Sequence, residues 1–345
     1  MKIVAPLTRK SEVEMLVANG AGEFYTGFIP PEWIENLGWG VEAVSRRLTA
    51  TANHRSWESF TESVSEAHDH GVEVYLTLNA PLYSAEAIRA LERLAAGAAD
   101  AGIDGFIVAD PEIVLRLRRL GLPGAIHVSS VAGARNRDAF ELFLDMGVQR
   151  VILPRQVTLK DIRNLRESAP ELEIEAFVIN DTCIFDEAMC FTSHACSGPV
   201  LCRRPYEMEP VEAVTGAAVD ADTRAKWVAH AEDWDRWLGA TSETGFSPGH
   251  VPEGPCGLCA IPGLIEAGVD ALKVVGREAN ALRKLRSVQS VRAVLDHVRE
   301  GHQERDTIAH AIEIRKTPEA CRVGYHCYYR DVHHDRVLPA LAGPA

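Results

Sequence analysis

Eight short apolar runs of β-forming residues, separated by stretches of helical length, constrain this chain more than any other feature. They are KIVAPL (2–7), EFYTGFI (23–29), VEVYLTLN (72–79), GFIVAD (105–110), AIHVSS (125–130), RVILPR (150–155), IEAFVIN (174–180) and ALKVVG (271–276). Each is apolar on both faces, so each needs cover on both sides. The segments between them carry helical periodicity, as in AEAIRALERLAAGAADAG (85–102), DAFELFLDMG (138–147) and LKDIRNLRESAP (159–170). Strict strand–helix alternation eight times over predicts an α/β fold, a (β/α)8 TIM-like barrel. A doubly wound sheet is the alternative, but no G-x-G-x-x-G follows the first run.

The alternation breaks once. Residues 207–255 form an insertion before the last strand, predicted helical around AKWVAHAEDWDRWLGA, with Trp227, Trp234 and Trp237 at near-helical spacing. Such a stripe reads as a helix packed on the body, or as a substrate lid. The expected organisation is a barrel over 1–290 and a C-terminal helix and cysteine-bearing tail over 291–345.

Of 345 residues, 46% are hydrophobic, and the formal net charge is −13. That charge argues against nucleic acid as a partner, despite locally basic RRLTATANHR and RKLRSVQSVR. No apolar run is long enough to span a membrane, and the N-terminus lacks the apolar core of a signal peptide. The expectation is a cytoplasmic protein with reduced thiols.

In a barrel, chemistry sits at the C-terminal ends of the strands. The residues there are Arg9, Tyr25, Asn79, Asp110, Ser129, Arg155, Gln156, Asn180, Cys183, Gly276 and Arg277. Any one of them also reads as a turn residue or helix cap. Arg155 and Arg277 are candidate catalytic residues, because a guanidinium clamps a carboxylate bidentately. His54 is a candidate proton carrier.

Eight cysteines stand out. Cys183, Cys190, Cys196 and Cys202 crowd one stretch, Cys256 and Cys259 form C-x-x-C, and Cys321 and Cys327 lie in the tail. Zinc prefers paired knuckles, and only Cys256 and Cys259 have that spacing. Looser spacing suits an iron–sulfur cluster. Buried thiols without a metal are the third reading, and His194 reads as a ligand or a loop histidine. Cys256, Cys259, Cys321 and Cys327 form a second possible set of four.

Several motifs resemble peptidase family U32. They are EFYTGF, VEVYLTLNA, GFIVADPEIVLRLRR, QRVILPRQVTLKDIRNL, IEAFVINDTC, CRRPYE and LCAIPGLIEAGVDALKVVGR, spread over most of residues 1–290. The resemblance implies a barrel and a 4Fe–4S cluster held by Cys183, Cys190, Cys202 and Cys259, with Cys196 and Cys256 as alternates. It implies a part in oxygen-independent hydroxylation, which in the family acts on ubiquinone precursors, a tRNA uridine or a ribosomal RNA cytidine, in some cases through a pair of related U32 subunits. The net charge favours a small-molecule substrate here, and the arginine clamp a carboxylate as substrate or oxygen donor. An oxidoreductase-like enzyme is the resulting expectation. A noncatalytic cluster-bearing subunit and a cysteine-dependent peptidase are the alternatives. The chain departs from the family pattern in EAMC, which ends at Cys190, in Gln156 and in Val275.

Overall fold

The computed structural model describes every residue except 32, 34–43, 48–50, 81–82, 181–182, 184–185, 190–208, 242–245, 248–250, 253, 325 and 343–345. For 234, 237–241, 246–247 and 251–252 only the backbone is described. Cys190, Cys196, Cys202, His194 and the side chains of Trp234 and Trp237 therefore lie outside the described residues.

The eight apolar runs become β1 (Lys2–Pro6), β2 (Glu23–Thr26), β3 (Glu73–Leu78), β4 (Gly105–Val108), β5 (Ala125–Val128), β6 (Arg150–Ile152), β7 (Glu173–Ile179) and β8 (Ala271–Val274). All pair in parallel and close in the order β1-β8-β7-β6-β5-β4-β3-β2. The first strand makes the closure, with Ile3 opposite Leu272 of β8 and Ala5 opposite Phe24 of β2. Closure removes the edges that an open parallel sheet would expose.

The helices begin where the sequence places a short polar cap. Ser56, Ser84, Asn136 and Asn280 each accept a hydrogen bond from the amide three residues on, and Thr158 forms a reciprocal capping box with Asp161. Each cap satisfies a donor that would otherwise be orphaned. In the helix Leu159–Ser168, Leu159, Ile162 and Leu165 face the barrel. Burial of each contributes roughly 1.5–3 kcal/mol. Asp110 turns out to be the cap of the helix Pro111–Leu120, accepting from Glu112 N at 2.8 Å.

The lumen is less ordinary. Arg150 of β6 reaches across the barrel to Glu23 of β2, with Nη2 2.9 Å from Oε2, and its Nη1 lies 3.0 Å from Glu175 of β7. Lys273 of β8 pairs with Glu175 at 2.5 Å and lies 4.0 Å from the Tyr25 ring centre. Four buried charges fill space that branched aliphatics occupy in most such barrels. Burial pushes the Glu175 carboxyl upward, but Lys273 and Arg150 outweigh it and hold it below the ordinary carboxylate value.

Between β7 and β8 lie α1 (Ala221–Thr241), a two-stranded ribbon (Phe246–Ser247 with Val251–Pro252) and α2 (Ile261–Glu266). Trp227 is half-buried on α1, and its neighbours over 221–230 are exposed. After β8 come α3 (Ala281–Arg299), α4 (Glu304–Arg315) and α5 (Pro318–Val323). Helix α3 runs unbroken through residue 290, the expected boundary between barrel and tail. The tail then returns to the barrel: Tyr329 donates to Phe177 O at 2.9 Å, and Tyr328 donates to Asn180 O. No helix among the described residues is long and apolar enough to cross a membrane.

Candidate functional site

Arg277, two residues past Val275 at the C-terminal end of β8, is buried at the barrel mouth. Its Nη1 donates to Thr77 Oγ1 at 2.6 Å and its Nη2 to Ser45 Oγ at 2.9 Å. Thr77 Oγ1 gives its own proton to Thr26 O at 2.9 Å, which turns its lone pairs toward the guanidinium. Among the described residues no carboxylate forms an ion pair with Arg277. Burial lowers its pKa to about 10, so it stays charged at neutral pH. A Cβ on Gly27 would lie 2.1 Å from Arg277 Nη1 and 2.3 Å from Asn53 Oδ1. Only a bare backbone at residue 27 leaves the guanidinium its place. A buried cation with hydroxyl partners alone is costly, and an anionic ligand would complete it.

After β7, Asp186 and the 3₁₀ turn Glu187–Met189 are held by three arginines. Arg155 pairs with the buried Glu187 carboxylate and lies over the Phe177 ring at 3.9 Å. Arg46 donates to Glu187 O at 2.8 Å, and Arg135 pairs with Asp186 at 2.6 Å. The expected clamp residue Arg155 therefore works on the protein's own loop, the one that carries Cys183 and leads to Cys190. Asn79 and Ser129 complete this rim, with Asn79 Nδ2 donating to Ser129 Oγ at 3.0 Å.

His54 is 2% exposed and packs edge-on against Phe60, with Nδ1 3.1 Å from Ser59 Oγ. Burial, and then the Lys284 ammonium, lower its pKa to about 4. It is a neutral imidazole at pH 7. Arg9 and Gln156 are exposed.

The C-x-x-C turn meets the tail beside the same rim. Ile179 bridges to Cys256, and Asn180 N donates to Pro255 O at 2.8 Å. Asn180 holds this corner with φ 72°, and its Nδ2 donates to Val275 O at 3.0 Å and Ser287 Oγ at 2.8 Å. Cys256 and Cys327 face each other in a parallel bridge, with Cys256 N donating to His326 O and Tyr328 N to Cys256 O. Cys256, Cys259, Cys321 and Cys327 all line one cavity, and none is in a disulfide. Burial, followed by the neighbouring thiols, raises Cys321 to about 11 and Cys327 to about 12. Thiols so raised are poor nucleophiles, which weighs against a peptidase built on them.

The sequence matches the model of Peptidase family U32 over residues 9–336. The chain belongs to peptidase family U32. It is 26% identical over 261 residues to the tRNA hydroxylation protein P1 of Bacillus subtilis, covering 72% of this chain and 56% of that protein. It is 28% identical over 282 residues to the uncharacterized protease MJ0090 of Methanocaldococcus jannaschii, covering 77% of this chain and 62% of that one. A 23S rRNA 5-hydroxycytidine synthase of Escherichia coli is 28% identical over 163 residues, covering 45% of this chain and 24% of its own length. The U32 chain thus spans little more than half the length of the first two relatives.

Within this U32 chain, Cys183 and Cys259 are the described members of the four-cysteine set that the family resemblance implies, and the structure brings Cys259 to the tail thiols. Sequence reading missed the cradle of Gly27, Ser45 and Thr77, and the Asp186–Glu187 anchor. Their signal was weak, since small and acidic loop residues are common. The charged lumen had a plainer one, in Glu175 and Lys273 placed inside otherwise apolar strands.

Proposed function

We propose that this chain takes part in oxygen-independent hydroxylation, with a 4Fe–4S cluster at the barrel mouth and an anionic ligand received by Arg277. The observation that carries the reading is the buried Arg277 guanidinium, lacking a carboxylate partner among the described residues, at the barrel end that also bears the Cys183 loop. Family membership, with relatives named for RNA hydroxylation, supports the reaction class. The cluster would be held by Cys183, Cys190, Cys202 and the alternate Cys196, since Cys259 lines the cavity of the tail thiols instead. When bound, it supplies one-electron chemistry tuned by its surroundings. The chain's own residues do the rest: Arg277 orients a carboxylate of the substrate or oxygen donor, and Arg155, through Glu187, holds the loop after β7. His54 is left out of proton transfer, because it does not titrate near neutrality.

Anaerobic purification tests the cluster, which should give a brown protein bleached by dithionite. A colourless, iron-free protein sinks it. For the anion site, Arg277→Gln should weaken carboxylate binding about 10–100-fold, the range of one charged hydrogen-bonded contact. Unchanged binding would remove Arg277 from the site.

A second reading takes RNA as the substrate, favoured by relatives named for tRNA and rRNA hydroxylation. The net charge of −13 works against an RNA grip by this chain alone, so that reading calls for a partner subunit. Nucleoside mass spectrometry on tRNA and rRNA from a deletion strain separates the two. Loss of a hydroxylated nucleoside selects RNA, and an unchanged profile with altered small-molecule hydroxylation selects the first reading.

A further inference from the structure

Of the five described cysteines, four line a single cavity, and they come from segments more than sixty residues apart. Cys256 and Cys259 flank the start of a 3₁₀ turn (Leu258–Ala260) at the barrel rim. Cys321 lies on α5, and Cys327 follows it after the chain turns back. Convergence of this kind is not a by-product of packing an apolar core, because the tail is positioned by specific backbone contacts on both sides of Cys256.

The details suit metal ligation. Leu258 N already donates to Cys256 Sγ at 3.5 Å, the contact that stabilises a ligating thiolate. A Cβ on Gly257 would come 2.9 Å from the Tyr329 ring, so the C-x-x-C turn can lie against the tail only with glycine between its cysteines. Arg315, 3% exposed, lines the cavity and places a cation beside what would be an anionic thiolate centre. The unpartnered Nδ1 atoms of His326 and His333 are buried in residues of the same lining.

The spacing selects among metals. A zinc tetrathiolate, with Zn–S of about 2.3 Å, brings its sulfurs to about 3.8 Å from one another. Among the described residues, the one trio of ligand atoms within 4.8 Å of each other is Glu23, His127 and Glu175, which Arg150 already occupies. No three of these sulfurs lie that close. All four residues line one cavity, and wider sulfur spacing is what the larger cage of an iron–sulfur cluster requires.

We infer that Cys256, Cys259, Cys321 and Cys327 hold a second 4Fe–4S centre, separate from the one at the barrel mouth, that fastens the tail to the rim. The inference goes beyond the proposed function and does not rest on it. It assigns all eight cysteines to two sets of four, leaving Cys183, Cys190, Cys196 and Cys202 for the mouth.

The test is iron, sulfide and zinc quantitation on the full chain purified without oxygen. Two centres give about eight iron atoms per chain, falling to about four in Cys321→Ser/Cys327→Ser and to about four in Cys183→Ser/Cys190→Ser. Iron undiminished in the tail variant overturns the inference, as does one zinc per chain that this variant loses. If instead the wild type holds about four irons, lost only in the tail variant, the second centre stands and the mouth cluster fails. If the tail variant does not fold, site-resolved alkylation of the wild type decides. Alkylation of Cys256, Cys259, Cys321 and Cys327, mapped by mass spectrometry, should rise together at least about tenfold after iron chelation. Equal labelling before and after chelation overturns the proposal.

Discussion

Arg277 and Gly27 form a pair, one supplying a buried charge and the other the room for it. Gly27→Ala would set a methyl group 2.1 Å from the guanidinium, so the guanidinium must move off Thr77 and Ser45. The expected cost is about 1–3 kcal/mol, measured as a lowered urea midpoint. His54 sets a pH dependence. Above pH 6.5 it is neutral in the folded and the unfolded chain, and contributes no slope. Between 6.5 and about 4 the unfolded chain takes up the proton and the folded one does not, so stability falls as pH falls. The loss reaches about 3 kcal/mol at the acid end. Urea midpoints at pH 7 and pH 5 should therefore converge in His54→Gln, and an unaltered pH slope would show that the proton is taken up elsewhere.

At the scale of elements, the charged lumen ties β2, β6, β7 and β8 together across the barrel. Arg150→Met leaves the Glu23 carboxylate with only Lys2, 3.5 Å away at the exposed rim. A loss of about 3–5 kcal/mol is expected, partly recovered by adding Glu23→Gln, and chemical denaturation measures both. The loop after β7 depends on fewer contacts. Glu187→Ala removes the Arg155 ion pair, and amides 186–189 should then exchange at least about tenfold faster, a local opening with little change in global stability. Exchange no faster than in the parent chain would mean that Arg135 and Arg46 suffice. The strands themselves were legible, because each is a short, mostly apolar run between stretches of helical length. The partners inside the lumen were not, because Glu23 and Arg150 stand far apart in the chain and meet only once the barrel closes.

At the scale of the whole molecule, the tail is held by two tyrosine hydroxyls and by the backbone β-bridge between residues 256 and 327, beside the four-thiol cavity. Iron chelation under reducing conditions should release it. Limited trypsin digestion should then cut first at Lys316, Arg322 or Arg330, leaving the barrel whole, and cleavage unaffected by chelation would show that the tyrosines alone suffice. The alternation of strand and helix, the insertion before the last strand and the family signatures are local in sequence, and the residues alone determined them. Which thiols share a cavity, which arginine is buried against hydroxyls and which pairs with a loop carboxylate were decided only by tertiary structure. Those choices depend on distances between segments that the chain brings together at closure, and spacing along a sequence carries no measure of them.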